Sequence, residues 1–157
     1  MQNLVVDIAQ SQILIRNFPI SSSRGERLML GELVAEFKGK NSGWRVLPDG
    51  KIEVTAQGTG KLLGKDAFVV STSVGTMGVN GVFMGEVTSV FNTMEGETVM
   101  AKGVAVGFPS GSGGATRAAS IHMTQSAKLA RLNKVIGMHE YETDMQDNWT
   151  GKIWEWK

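Results

Sequence analysis

The chain reads as an all-β protein: an antiparallel meander β-barrel of about eight strands with one short helix. Three observations carry this reading. Segments rich in branched and aromatic residues recur at short spacing, with turn residues between them and no βαβ rhythm. The 157 residues include 20 Gly against 3 Pro, and Gly31, Gly85, Gly103, Gly107 and Gly137 fall inside strand segments, where a small barrel has to bend. Residues 99–108 are apolar on both faces: Val99, Ala101 and Ala105 on one, Met100, Val104, Val106 and Phe108 on the other. A strand with two dry faces has the barrel interior on one side and a cover on the other. The terminal segments or a second copy of the chain could supply that cover. A homo-oligomer is therefore expected, with Val99 and Ala105 at the contact.

The elements follow in order. Residues 4–8 are a short apolar stretch that suits an edge strand or one helical turn. Residues 12–18 read as a strand stopped by Pro19, and 21–25 as a polar loop. Residues 28–38 alternate, with Met29, Leu33, Ala35 and Phe37 on one face and Glu32, Glu36 and Lys38 on the other. A short strand at 44–47 returns as 51–56 through Pro48-Asp49-Gly50. A turn at 62–66 leads into a strand at 67–72. Residues 82–91 and 99–108 form the central hairpin, and Gly96 in its turn can adopt a positive φ. Residues 109–114 read as a flexible loop, and 116–124 as a strand.

One segment reads as helix. Ser126 can cap it, Leu129 and Leu132 sit three apart, and Asn133 can close it in the left-handed conformation. So short a helix is marginal alone, so it must pack on the sheet or plug an opening. Strands at 135–143 and 152–156 complete the set, separated by a polar D-M-Q-D-N turn. A faint repeat relates 28–37 to 82–91, each followed by an acidic-Gly turn. It reads as two hairpins built by the same rules, or as a duplication.

Composition narrows the function. The length favours a single domain over residues 1–157 with a real core. A formal net charge of +1 and scattered Lys and Arg give no electrostatic footprint for nucleic acid. No apolar stretch approaches the ~20 residues of a membrane span. The N-terminus lacks the pattern of a signal peptide. Cysteine is absent, which removes disulfides, thiolate catalysis and Cys-ligated metals. Cytoplasm is the default compartment.

The pattern G-T-G-K-L-L-G at 58–64 and the run L-A-R-L-N-K-V-I-G-M-H-E-Y-E at 129–142 resemble the turns and strands of small bacterial proteins with the allene oxide cyclase-like barrel, within the broader calycin-like barrels. The resemblance covers about the C-terminal two thirds of the chain. It implies a barrel of a kind that hosts cyclases and lipid binders. No catalytic motif of the plant cyclases maps onto this chain, so the resemblance brings no functional residue with it.

Candidate chemistry is sparse. His139 and Tyr141 share one face of their strand, and Glu140 and Glu142 take the other. A His–Tyr pair at this spacing suits acid–base work inside a barrel or a mixed surface strand. Arg117 lies in register with Ala119, Ile121 and Met123, and could anchor an anionic ligand, snorkel outward or pair with a carboxylate. The expected site is Arg117, His139 and Tyr141 near one barrel mouth. Arg117 would hold a carboxylate or enolate oxygen, His139 would shuttle a proton, and Tyr141 would orient a carbonyl.

His122 shares a register with Thr116, Ser120 and Thr124. Two histidines supply too few ligands for zinc, so no metal is expected, and no cofactor. Glu32 and Glu86 each follow a Gly in the two repeat strands and could form a carboxylate pair or face solvent. The Gly-rich segments fit neither a P-loop nor a dinucleotide fingerprint, and no nucleophile elbow occurs. Asn148-Trp149-Thr150 fits a glycosylation sequon. Trp154 and Trp156 share a face with Lys152, suited to closing the core or to rimming a pocket.

Three functions follow: a non-enzymatic barrel binding a small apolar molecule, a cyclase or isomerase using the cavity, or an assembly protein with a filled barrel.

Overall fold

The turns set the topology. Leu63 and Gly64 both take positive φ, at 47° and 79°, and Gly96 takes 89°, so the chain reverses sharply between long strands. In the computed structural model, which describes residues 30–156, eight strands result: β1 (Leu33–Val46), β2 (Ile52–Leu62), β3 (Lys65–Met77), β4 (Phe83–Thr93), β5 (Thr98–Ser110), β6 (Gly113–Met123), β7 (Ile136–Thr143) and β8 (Asn148–Glu155). Each pairs antiparallel with the next, and β8 pairs with β1 to close the barrel. The expected antiparallel meander of about eight strands is the observed fold. β4 and β5 pair as anticipated, Phe91 opposite Val99. The apolar stretch 4–8, the strand expected at 12–18, the loop at 21–25 and Met29 lie outside the described residues.

Several boundaries differ, each for a local reason. The separate strands expected at 28–38 and 44–47 are one strand, β1, bent by a bulge between Asn41 and Gly43. A second irregularity at its start leaves Val34 and Ala35 both buried and Leu33 exposed. The supposed flexible loop at 109–114 is mostly ladder. Pro109 pairs with Gly114 and Ser110 with Gly113, so only Gly111 and Ser112 turn. β8 starts at Asn148 and brings Trp149 into the sheet, pointing inward and buried. Trp154 and Trp156 are therefore not the core residues: Trp154 is half-buried and Trp156 is exposed.

The expected helix is a 3-10 segment, Ala127–Lys134. Ser126 makes no side-chain cap, and Asn133 does not close the helix. Instead Asn133 Nδ2 donates to the Thr124 carbonyl at 3.0 Å and its Oδ1 accepts from the Thr124 N–H at 2.8 Å, tying the segment to the end of β6. This places Leu129 and Leu132, both fully buried, in the barrel end beside Val34, Leu62, Phe91 and Ile153. The segment is a plug. Phe37 of β1 and Phe91 of β4 meet in the same core cluster at a ring separation of 5.4 Å.

Candidate functional site

The plug seals one end, and toward the other the inward residues of β3, β4 and β5 become smaller. Along β3 the inward positions run from Val69 to Ser71 and Ser73, along β4 from Phe91 to Val87, and along β5 from Val99 and Ala101 to Ala105 and Gly107. The space left is a cavity of about 400 Å³, lined mainly by Val54, Ala56, Val87, Ala105 and Ala118, with Trp44 and Phe83 toward the mouth. An eight-stranded barrel has room for side chains or for one small ligand, and cavities of this volume take small ligands.

The floor carries the polar groups. β6 and β7 pair Ala118 with His139 and Thr116 with Tyr141, which turns both ring residues inward. Ser120 Oγ lies 2.6 Å from His139 Nε2, and Tyr141 Oη lies 3.5 Å from His139 Nδ1. Three residues thus form one chain from the wall to the cavity.

Glycines seat the rings. Tyr141 is the β7 partner of Gly151, and a Cβ at Gly151 would lie 2.2 Å from its Cε1. Trp149 lies over Gly58 in the same way, where a Cβ would come within 2.7 Å of Cη2. Tyr141 and Trp149 meet edge to face at 5.5 Å.

Burial sets the protonation states. His139 is 4% exposed; desolvation, then the neighbouring His122, push its pKa down to about 3. Its ring is neutral at ordinary pH. His122 is lowered as well, by desolvation, and its Nδ1 sits 3.4 Å from the Val135 carbonyl. Burial pushes the Tyr141 hydroxyl up to about 12. His122 Nε2 and Trp149 Nε1 are buried with no partner among the described residues.

The mouth is organised by Asp147. Its Oδ1 accepts from Asn41 Nδ2 at 3.2 Å and from Trp44 Nε1 at 3.3 Å.

Of the three expected site residues, the fold brings two together. His139 and Tyr141 face the cavity. Arg117 does not: its neighbour Ala118 faces inward, so the guanidinium is on the outer wall. There Nη2 pairs with Glu142 at 3.2 Å, and Nε lies 3.9 Å from Glu140. The strand pairing explains this, since Arg117 sits opposite Glu140 and two carboxylates of β7 share its side. The expectation of a cation inside the barrel is thereby corrected. Burial holds His139 neutral, with its pKa pushed down to about 3, which weighs against the expected proton-shuttle role near neutral pH. Glu32 and Glu86 are exposed, the solvent-facing of their two readings, and Glu32 pairs with Arg131.

Sequence reasoning missed Ser120 as the partner of His139, Trp149 as a cavity wall, and Trp44 and Asp147 as the rim. A signal for Ser120 existed, since it shares the His122 register.

No protein-family model matches the chain, and no curated protein matches it. Solved structures do. A conserved protein of unknown function from Rhodopseudomonas palustris superposes with a TM-score of 0.62 at 12% identity, covering 78% of this chain and 95% of the other. A protein of unknown function from Clostridium acetobutylicum gives 0.67 at 10% identity, covering 79% and 96%. At such identities the likeness shows the shared fold.

Proposed function

We propose that this barrel binds one small, largely apolar molecule in its open end, as a carrier or sensor and not as a catalyst. The observation that supports this best is the cavity itself: about 400 Å³ beside a tightly filled core, with apolar walls and a few convergent polar groups on its floor. The resemblance to allene oxide cyclase-like barrels is consistent with it, because such barrels also accommodate apolar molecules.

A cyclase or isomerase is the second reading. The buried Ser120–His139–Tyr141 chain favours it. The neutral state of His139 and the absence of any cation among the described cavity-lining residues weigh against proton transfer or oxyanion stabilisation there.

Self-association belongs to the same proposal. Met84, Val104, Val106, Ile121 and Ile136 are all exposed on the outer wall of β4–β7, with Met84 opposite Val106 and Ile121 opposite Ile136. Val99 and Ala105 point inward, so the contact expected at those residues moves to Val104 and Val106.

Fluorescence titration with N-phenyl-1-naphthylamine, a neutral apolar probe, tests the binding. The expected result is saturable one-to-one enhancement that is lost in Ala118→Phe, which fills the cavity. Enhancement that never saturates, or that survives Ala118→Phe, overturns the reading. Light scattering on the same samples should give a multiple of the 16.9 kDa chain mass that Val104→Asp reduces to one.

A further inference from the structure

The hydrogen-bond chain at the cavity floor has a direction, and the direction specifies the ligand. A neutral imidazole donates from one nitrogen and accepts at the other. The chain can therefore run two ways. In one, Tyr141 donates to His139 Nδ1, Nε2–H donates to Ser120 Oγ, and the Ser120 hydrogen is left over. In the other, Ser120 donates to Nε2, Nδ1–H donates to Tyr141 Oη, and the Tyr141 hydrogen is left over.

The surroundings decide between them. Ser120 is 4% exposed and its hydroxyl has no partner but His139 among the described residues. A leftover hydrogen there is a buried donor without an acceptor, which costs about 1–3 kcal/mol. Tyr141 lines the cavity, where a leftover hydrogen can meet water or a ligand. The chain runs from Ser120 to Tyr141, and Tyr141 faces the cavity as a donor.

Trp149 adds an independent observation. It lines the same cavity, is 6% exposed, and its indole N–H lacks an acceptor among the described residues. Two donors without acceptors thus belong to residues that line one apolar hollow. Among the described residues no Lys or Arg lines it, and the charged ones that do are Asp144 and Asp147. A carboxylate entering would lose water with no counter-charge to meet it, and would pass two carboxylates on the way.

We propose that the cavity selects an uncharged, largely apolar molecule bearing one hydrogen-bond-accepting oxygen, a ketone, aldehyde or ester, which Tyr141 and Trp149 receive as donors. This rests on the binding function above and names its ligand class. It also replaces the anionic ligand that an inward Arg117 would have required.

Three probes of nearly equal shape separate the possibilities: 2-acetylnaphthalene, 2-ethylnaphthalene and 2-naphthoate, titrated at pH 7.5 by calorimetry. The ketone should bind about tenfold tighter than the hydrocarbon, the value of one good hydrogen bond, and at least as far ahead of the carboxylate. Tyr141→Phe should remove the ketone's advantage and leave the hydrocarbon affinity within about twofold, as expected when only one hydrogen bond is removed. Trp149→Phe, which keeps a ring over Gly58, gives the same readout should Tyr141→Phe unfold. Ketone and hydrocarbon binding equally, or the carboxylate binding tightest, overturns the ligand class and leaves the binding function standing. Failure of all three to bind overturns both.

Discussion

The two ends of the barrel are made by the same eight strands, yet one is packed and the other hollow. At the plugged end the inward residues are Phe37, Leu62, Val69, Phe91, Val99 and Ile153, with Leu129 and Leu132 inserted from the 3-10 segment. At the open end the same strands turn in Asn41, Ala56, Ser71, Ser73, Val87 and Ala105. Backbone pairing of β2 through β5 is continuous through both, so along those strands the difference lies in side-chain volume, to which the 3-10 plug adds at one end. The packed end supplies the hydrophobic burial that holds the fold. That frees the open end to keep empty space and underused donors, which stability alone would not select.

The sharpest way to break this comparison is to truncate one phenylalanine at each end. Phe91 is fully buried against Phe37, and Phe91→Ala should cost about 3–5 kcal/mol. Phe83 is half-buried at the mouth, and Phe83→Ala should cost under about 1 kcal/mol. Urea unfolding with unchanged m-values measures both. Equal losses would mean that the mouth is as much a part of the core as the plug.

A second test uses protons. His139 is neutral in the folded barrel, with its pKa lowered from 6.5 to about 3, and His122 is lowered too. Between those values the unfolded chain binds a proton that the folded one refuses. The stability is complete above pH 6.5 and is lost as the pH falls toward the folded pKa. Each histidine can contribute a slope of up to about 1.4 kcal/mol per pH unit. Asp49, Glu95, Glu97 and Asp144 are lowered by their hydrogen bonds, so they act only below about pH 4.5. The window from about 6.5 to 4.5 belongs to the histidines. Stability measured across it should fall with acid, and His139→Gln should flatten the profile. A profile unchanged by His139→Gln would place that ring in water.

How much of this was legible in the sequence divides along the same line. The barrel was legible because alternation, turn residues and strand glycines are local signals, and the pairing of β4 with β5 follows from them. The inward pair His139 and Tyr141 was legible for the same reason, since period-two alternation puts both on one face. The side that face takes was not, because it depends on register around the closed sheet. Arg117 shows this: its apolar neighbours Ala119 and Ile121 suggested an interior, yet they form part of the exposed outer wall. The Ser120–His139 contact joins residues nineteen apart on paired strands, and the indole of Trp149 on β8 reaches over Gly39 of β1 to Gly58 of β2. The first depends on the β6–β7 register and the second on the closure of β8 onto β1.

The smallest expected effect is the best controlled. Ala101 and Ala105 lie four residues apart on β5, both point inward, and they are 2% and 6% exposed. Exposure alone therefore predicts the same response to enlargement. Their surroundings predict different ones. Above Ala101 lies the packed cluster with Phe91 and Leu129, so Ala101→Val must displace filled volume and should cost about 1–3 kcal/mol. Above Ala105 lies the cavity, so Ala105→Val should change stability by less than about 0.5 kcal/mol. The added methyls occupy ligand space, so Ala105→Val should weaken N-phenyl-1-naphthylamine binding. Equal costs at the two positions would mean that the mouth collapses in solution and the hollow is filled by its own walls. A neutral Ala105→Val with unchanged probe affinity would place the probe elsewhere, and the division of labour between the ends would lose its functional half.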